Sequence, residues 1–203
     1  MKHLARKLKR GFRKKPIYQL TRFPQDQFDL ISEHPIYKES RSSFEIGCNF
    51  GLLVKMFNDD GRFAVGIDTT DFWKGSQPQG AILGKIELSP ETIDQLPEFD
   101  MVCILSVHHQ IVAKLGDEET KKLIEKLLSK ARKGLFIEFA ALSEKFGEPK
   151  NTLFKDNDEN SVRAYARGWL ESFCSSEQID YLGKTRELEK TEPYRYLYAI
   201  KRS

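Results

Sequence analysis

Two glycines, Gly47 and Gly51, sit where the apolar run Phe44-Glu45-Ile46 gives way to the helical pattern Leu52-Leu53-Val54-Lys55-Met56-Phe57. Neither position has a Cβ, so the backbone there can bend sharply and lie close against a ligand. Seventeen residues beyond Gly51, Gly66-Ile67-Asp68 ends a second apolar run on a carboxylate. An acid at the end of the second strand is placed to accept both hydroxyls of a ribose. A strand-turn-helix glycine loop followed by a second-strand acid points to an α/β sheet holding a nucleoside-containing cofactor at the carboxyl edge of its strands.

The remainder of the chain keeps to that plan. From Ser43 onward, apolar runs of strand length alternate with helical patterns, the sequence form of a parallel sheet with crossover helices. Strands are expected near Phe44 to Gly47, Phe63 to Asp68, Ala81 to Ile86, Phe99 to Leu105 and Leu135 to Ala140. Helices are expected over Gly51 to Phe57, over Glu118 to Lys130 with a stop at Gly134, and over Val162 to Phe173. Two last strands, Gln178 to Leu182 and Arg195 to Lys201, flank the polar stretch Gly183 to Pro193 and suit an antiparallel terminal hairpin. The expected fold is therefore a doubly wound, mostly parallel sheet of seven strands with helices on both faces. No internal repeat or low-complexity tract interrupts it.

At 203 residues and 23.5 kDa the chain suits a single core, and 39% apolar residues supply enough material for one. No window approaches the roughly 18 apolar residues of a membrane span, and the first 15 positions lack the apolar stretch of a secretory signal. Cys48, Cys103 and Cys174 are odd in number with no C-x-x-C spacing, which suits a reducing cytoplasm rather than a disulfide framework. The net charge of +3 hides an asymmetry. Lys2, Arg6, Lys7, Lys9, Arg10, Arg13, Lys14 and Lys15 supply eight of the 33 basic side chains within the first 15 residues, where no acid occurs, leaving 25 against 30 acidic ones. Leu4, Leu8 and Phe12 fall on one stripe of that basic segment. It reads as an arm attracting phosphates of nucleic acid or of an anionic lipid surface, or else as a solvated tail or a targeting peptide. Pro16, Pro24 and Pro35 punctuate residues 16–42, a connecting segment that packs over the main domain.

Glycine spacing decides which nucleoside is expected. A dinucleotide fold uses G-x-G-x-x-G, and from Gly47 those later positions hold Asn49 and Leu52. The pattern that is intact is E-x-G-x-x-x-G, in Glu45-Ile46-Gly47-Cys48-Asn49-Phe50-Gly51. In this it resembles the class I S-adenosylmethionine-dependent methyltransferases, whose first motif is an acid-x-Gly-x-x-x-Gly loop. The resemblance runs from about Ser43 to Lys201. It implies a methyltransferase domain over residues 43–203 with S-adenosyl-L-methionine as cofactor, which leaves residues 1–42 as the basic arm and connecting segment. Glu45, Gly47, Cys48, Asn49 and Gly51 would form the loop, with Glu45 suited to a cationic, amine-bearing ligand. Asp68 falls at the ribose-binding acid and Asp100 at the start of the fourth-strand motif. Ile93 and Asp94 resemble the segment covering the adenine, and Leu105 and Ser106 would line the methionine end.

His108 and His109 follow the fourth strand and are expected at the lip of the site, where one imidazole can take a proton from the acceptor or pack and hold the loop. Glu138, toward the end of the fifth strand, is expected either to contact the acceptor or to pair at the sheet edge. Two adjacent histidines without a further ligand do not make a metal site, so none is expected. The segment Leu142 to Arg167 mixes Lys145, Lys150, Lys155, Arg163 and Arg167 with acids and reads as a solvated surface, and Trp73 as ordinary packing. The resulting expectation is methyl transfer to an O or N acceptor on an anionic substrate such as RNA or a phosphate-bearing glycan or lipid-linked intermediate. A cytoplasmic setting is expected, with residues 1–15 free to touch an anionic membrane surface. The alternative is a non-catalytic cofactor-binding module recruiting nucleic acid or membrane through the arm.

Overall fold

The computed structural model describes residues 24–140, 159–187 and 190–202. The chain begins there with two helices, α1 (Pro24–Glu33) and α2 (Pro35–Glu39), then enters β1 (Ser42–Ile46). There follow α3 (Leu52–Asp59), β2 (Phe63–Asp68), β3 (Ile82–Lys85), α4 (Pro90–Gln95), β4 (Phe99–Ile104), α5 (His108–Leu115), α6 (Asp117–Ser129) and β5 (Ala131–Ala140). Helix α7 (Glu159–Glu171) leads through a 3-10 turn at Ser176–Gln178 into β6 (Ile179–Glu187) and β7 (Lys190–Lys201).

The seven strands form one sheet in the order β3-β2-β1-β4-β5-β7-β6. The first five are mutually parallel, with Ile46 beside both Ile67 and Ile104, whereas β7 runs antiparallel between β5 and β6. The doubly wound expectation, terminal hairpin included, is met. Winding leaves from β1 toward β3 and restarts at β4 on the other side of β1. The carboxyl ends of β1 and β4 therefore diverge into a crevice, the place where open α/β sheets bind ligands.

Period-2 alternation divides the core between the two faces. Val102 and Ile104 of β4, Leu135, Ile137 and Phe139 of β5, and Tyr196, Tyr198 and Ile200 of β7 bury with Leu123, Ile124 and Leu127 of α6 and Val162, Ala166, Trp169 and Leu170 of α7. Met101, Cys103, Phe136, Leu197 and Ala199 bury on the opposite face against Ile31, Ile36, Tyr37, Leu53, Val54 and Phe57. Residues 24–39 are thus folded onto the sheet, and His34 ties them to the hairpin by a 3.1 Å contact from Nε2 to Asp180 Oδ2. Trp73 is buried in the same cluster.

Three local expectations need correction. Gly134 does not stop a helix. Helix α6 closes at Lys130, whose N–H bonds to Leu127 and Leu128 carbonyls, and β5 starts at Ala131. Gly134 lies inside β5, where a Cβ would stand 2.3 Å from the Ile200 carbonyl oxygen and 2.5 Å from Ile36 Cδ1. The polar stretch Gly183 to Pro193 is mostly strand, because main-chain pairing extends out to Glu187 and Lys190. Finally, His108 and His109 are buried in the first turn of helix α5 rather than emerging at the lip of the site.

Candidate functional site

The loop leaving β1 is built from left-handed turns. Gly47 and Gly51 both have φ 71°, and Asn49 between them has φ 51°, a region that non-glycine residues seldom adopt. Gly47 N–H and Cys48 N–H both donate to the Ile67 carbonyl, at 2.8 and 3.0 Å, which lashes the loop to the end of β2. Its glycines also answer to their neighbours. A Cβ on Gly47 would lie 2.2 Å from Val107 Cγ1, and one on Gly51 would lie 2.6 Å from the Leu83 methyls.

Asp68, the last residue of β2, is fixed from both sides. Its Oδ2 accepts from Asn49 N–H and its Oδ1 from Thr70 N–H, both at 3.0 Å. An ionised carboxylate has roughly four acceptor positions, so capacity remains for the hydroxyls of a sugar. Glu45 is buried on β1 in register with Gly66 and Cys103. Burial, with the Glu45 charge adding to it, pushes the Cys48 and Cys103 thiols well up, so neither offers a thiolate.

On the β4 side, Leu105 and Ser106 are buried, and Ser106 has φ 60°. The Ser106 hydroxyl donates to Glu138 of β5. Glu138 is fully buried and also accepts from the Thr185 hydroxyl of β6 and from Gln27 Nε2 of α1, the last at 3.1 Å to each carboxylate oxygen. Of the two readings for Glu138, the structure shows the internal pairing. Arg195 lies at the same edge, buried and in register with Ala140 and Thr185. Gln27, Thr185 and Arg195 escaped the sequence reading because nothing local marks them. Gln27 meets Glu138 across 111 positions and Thr185 meets it across 47.

Several sequence-derived assignments fall elsewhere. His108 is enclosed by Phe139 and Trp169, with ring centroids 4.4 and 4.7 Å away, and burial lowers its pKa to about 3. It is a core residue and not the acceptor's base. His109 is also buried, in the first turn of α5. Ile93 is fully buried among core residues on the α6 face. Asp94 pairs with Lys126 at 2.7 Å, while Lys130, just ahead of β5, donates to the Asp94 carbonyl. That places Asp94 beside the amino-terminal edge of the parallel strands, away from the glycine loop, because α4 descends from the carboxyl end of β3 before β4 begins. Asp100 is an amino-edge clamp, accepting from Arg41 and Ser42 N–H and from Arg132 Nε.

The basic stretch 1–15 and most of Leu142 to Arg167 lie outside the described residues. Within the described part, Arg167 pairs with Glu171, and Arg163 covers the Tyr181 ring at 4.2 Å. A cavity of about 330 Å³ lined by Asn160, Arg163, Ala164, Arg167, Tyr181 and Tyr198 lies on the sheet face opposite Glu138.

Neither a family model nor a curated protein sequence matches the chain. Solved structures match its fold. The bifunctional kinase-methyltransferase WbdD superposes with a TM-score of 0.57 at 20% identity, over 87% of this chain and 37% of WbdD. This chain therefore spans little more than a third of that protein. Magnesium protoporphyrin IX methyltransferase (ChlM) from Synechocystis PCC 6803, solved with SAH bound, gives 0.57 at 17% identity over 89% and 83%. The N-terminal domain of EvdMO1, also with SAH bound, gives 0.60 at 13% identity over 93% and 85%. The fold is that of the class I S-adenosylmethionine-dependent methyltransferases.

Proposed function

We propose that the chain is an S-adenosylmethionine-dependent methyltransferase acting on an O or N acceptor of an anionic substrate. The observation that carries this is the left-handed Gly47–Gly51 loop locked to a second-strand carboxylate, Asp68, at the crevice between β1 and β4. The donor and acceptor chemistry there fits the cofactor. Asp68 keeps acceptor capacity for ribose hydroxyls, Glu45 contributes negative charge beneath the loop, and Leu105 and Ser106 close the β4 side. When bound, S-adenosylmethionine supplies an electrophilic methyl group on a cationic sulfur.

What the chain contributes is placement and exclusion of water. Gly47 and Gly51 of the loop, Asp68, Leu105 and Ser106 would hold the cofactor and align its methyl group with the acceptor. Positive charge disperses, so alignment matters more than a strong charged catalyst. His108 is enclosed and His109 is buried in the same helical turn, so neither imidazole is assigned the acceptor's proton. The eight cations of residues 1–15 support a polyanionic acceptor, RNA or a phosphate-bearing glycan or lipid-linked intermediate. Methyl-transfer assays on RNA and glycan pools, read by mass spectrometry, test the assignment. A methylated product in one pool identifies the acceptor class, and none in either refutes the anionic reading. No described helix is long and apolar enough to cross a membrane.

A further inference from the structure

Four buried polar side chains from four elements meet at the carboxyl edge of the sheet: Gln27 of α1, Ser106 after β4, Glu138 of β5 and Thr185 of β6. A carboxylate removed from water is tolerated only when donors replace its hydration, and three side chains do so here. Besides Glu138, Gln27 Nε2 lies 3.4 Å from Ser106 Oγ. Ser106 is one of two non-glycine residues with positive φ among those described, and the other, Asn49, is in the glycine loop. A side chain held by a buried carboxylate can keep such a backbone conformation in place. The next residue, Val107, touches Gly47 so closely that a Cβ there would collide with it. A continuous physical chain thus runs from α1 through Gln27, Glu138, Ser106 and Val107 to the glycine loop.

Helix α1 is seated beside this network by complementary packing. Leu30 lies over Gly183 of β6, where a Cβ would come within 3.2 Å of Leu30 Cδ2, and Ile31 is fully buried. The helix and the hairpin therefore both reach the β4 wall of the crevice through one carboxylate.

We propose that Gln27 and Thr185 are positioning residues: by jointly holding Glu138 they fix Ser106 and the β4 wall against the glycine loop, and so set cofactor affinity from outside the cofactor site. This rests on the proposed function. The variants Gln27→Leu and Thr185→Val remove one donor each, and Thr185→Ser keeps the hydroxyl. Calorimetric titration of S-adenosylhomocysteine into the full chain reads affinity, and thermal melting run in parallel reads stability. Gln27→Leu and Thr185→Val should each weaken binding about tenfold, Thr185→Ser should retain wild-type affinity, and the double variant should fall short of the product of the single effects because both act on one carboxylate. Should Gln27→Leu fail to fold, Gln27→Asn, which keeps the amide but shortens its reach, takes its place with the same expected weakening. Folded variants that bind within twofold of wild type, with melting temperature alone lowered, overturn the positioning role and leave the functional reading standing. A wild-type chain that does not bind S-adenosylhomocysteine overturns both.

Discussion

Asp68 and His108 carry the sharpest tests at the scale of single residues. Replacing Asp68 with Ala removes the proposed ribose acceptor and frees Asn49 and Thr70 N–H, so S-adenosylhomocysteine affinity should fall by about 2 kcal/mol in calorimetry. Unchanged affinity would reject the assignment. His108 reports on pH. Its folded-state pKa is lowered to about 3 by burial, against an ordinary value of 6.5 in the unfolded chain. As pH falls below 6.5 the unfolded state gains this proton first. The contribution of the neutral ring is therefore complete above about pH 6.5 and is lost on the way down to about 3, at up to ~1.4 kcal/mol per pH unit. Chemical denaturation of wild type and His108→Phe across that window should show the acid limb flattened in the variant. A stability difference that stays constant with pH would contradict the buried neutral ring. At this scale the sequence was informative where chemistry is local. Gly47, Gly51 and Asp68 are brought together by one strand-turn-helix-strand unit, whose spacing is visible along the chain. The Glu138 partners were not legible, because three remote elements supply them. Asp94 misled because a short acidic helix after β3 carries no mark of which end of the sheet it approaches.

Secondary-structure elements repeat the lesson at longer range. Strand β2 falls on Phe63–Asp68, where its apolar run and terminal acid had put it, since a parallel strand buried on both faces is a contiguous apolar run. Gly134 lies just past the end of α6, where glycine normally signals a cap, yet it belongs to β5. Its actual role depends on β7 and α2, brought in by the sheet and by the preceding segment. Gly134→Ala should therefore be destabilising by about 2–3 kcal/mol, an overpacking penalty against the Ile200 backbone and Ile36. A urea midpoint equal to wild type would contradict that packing. In the glycine loop, Gly47→Ala meets both a left-handed backbone and Val107, and should lose about 2 kcal/mol of stability together with most cofactor affinity. Full retention of binding in that variant would show that the loop does not need the close approach.

For the whole molecule, the parallel wrap from β1 to β3 and its restart at β4 place one crevice at the carboxyl edge, and the charge asymmetry adds eight cations at one end of the chain. Polyanion binding by the full chain should weaken steeply as salt rises, and a chain beginning at Ile17 should lose most of that slope. Equal slopes for the two would remove the arm from substrate binding. The central claim concerns the crevice itself. Calorimetric titration of S-adenosylhomocysteine into the full-length protein tests it most directly: the fold and the Asp68-locked loop predict saturable heat at one site per chain, and a flat titration would contradict the assignment of a methyl-donor site.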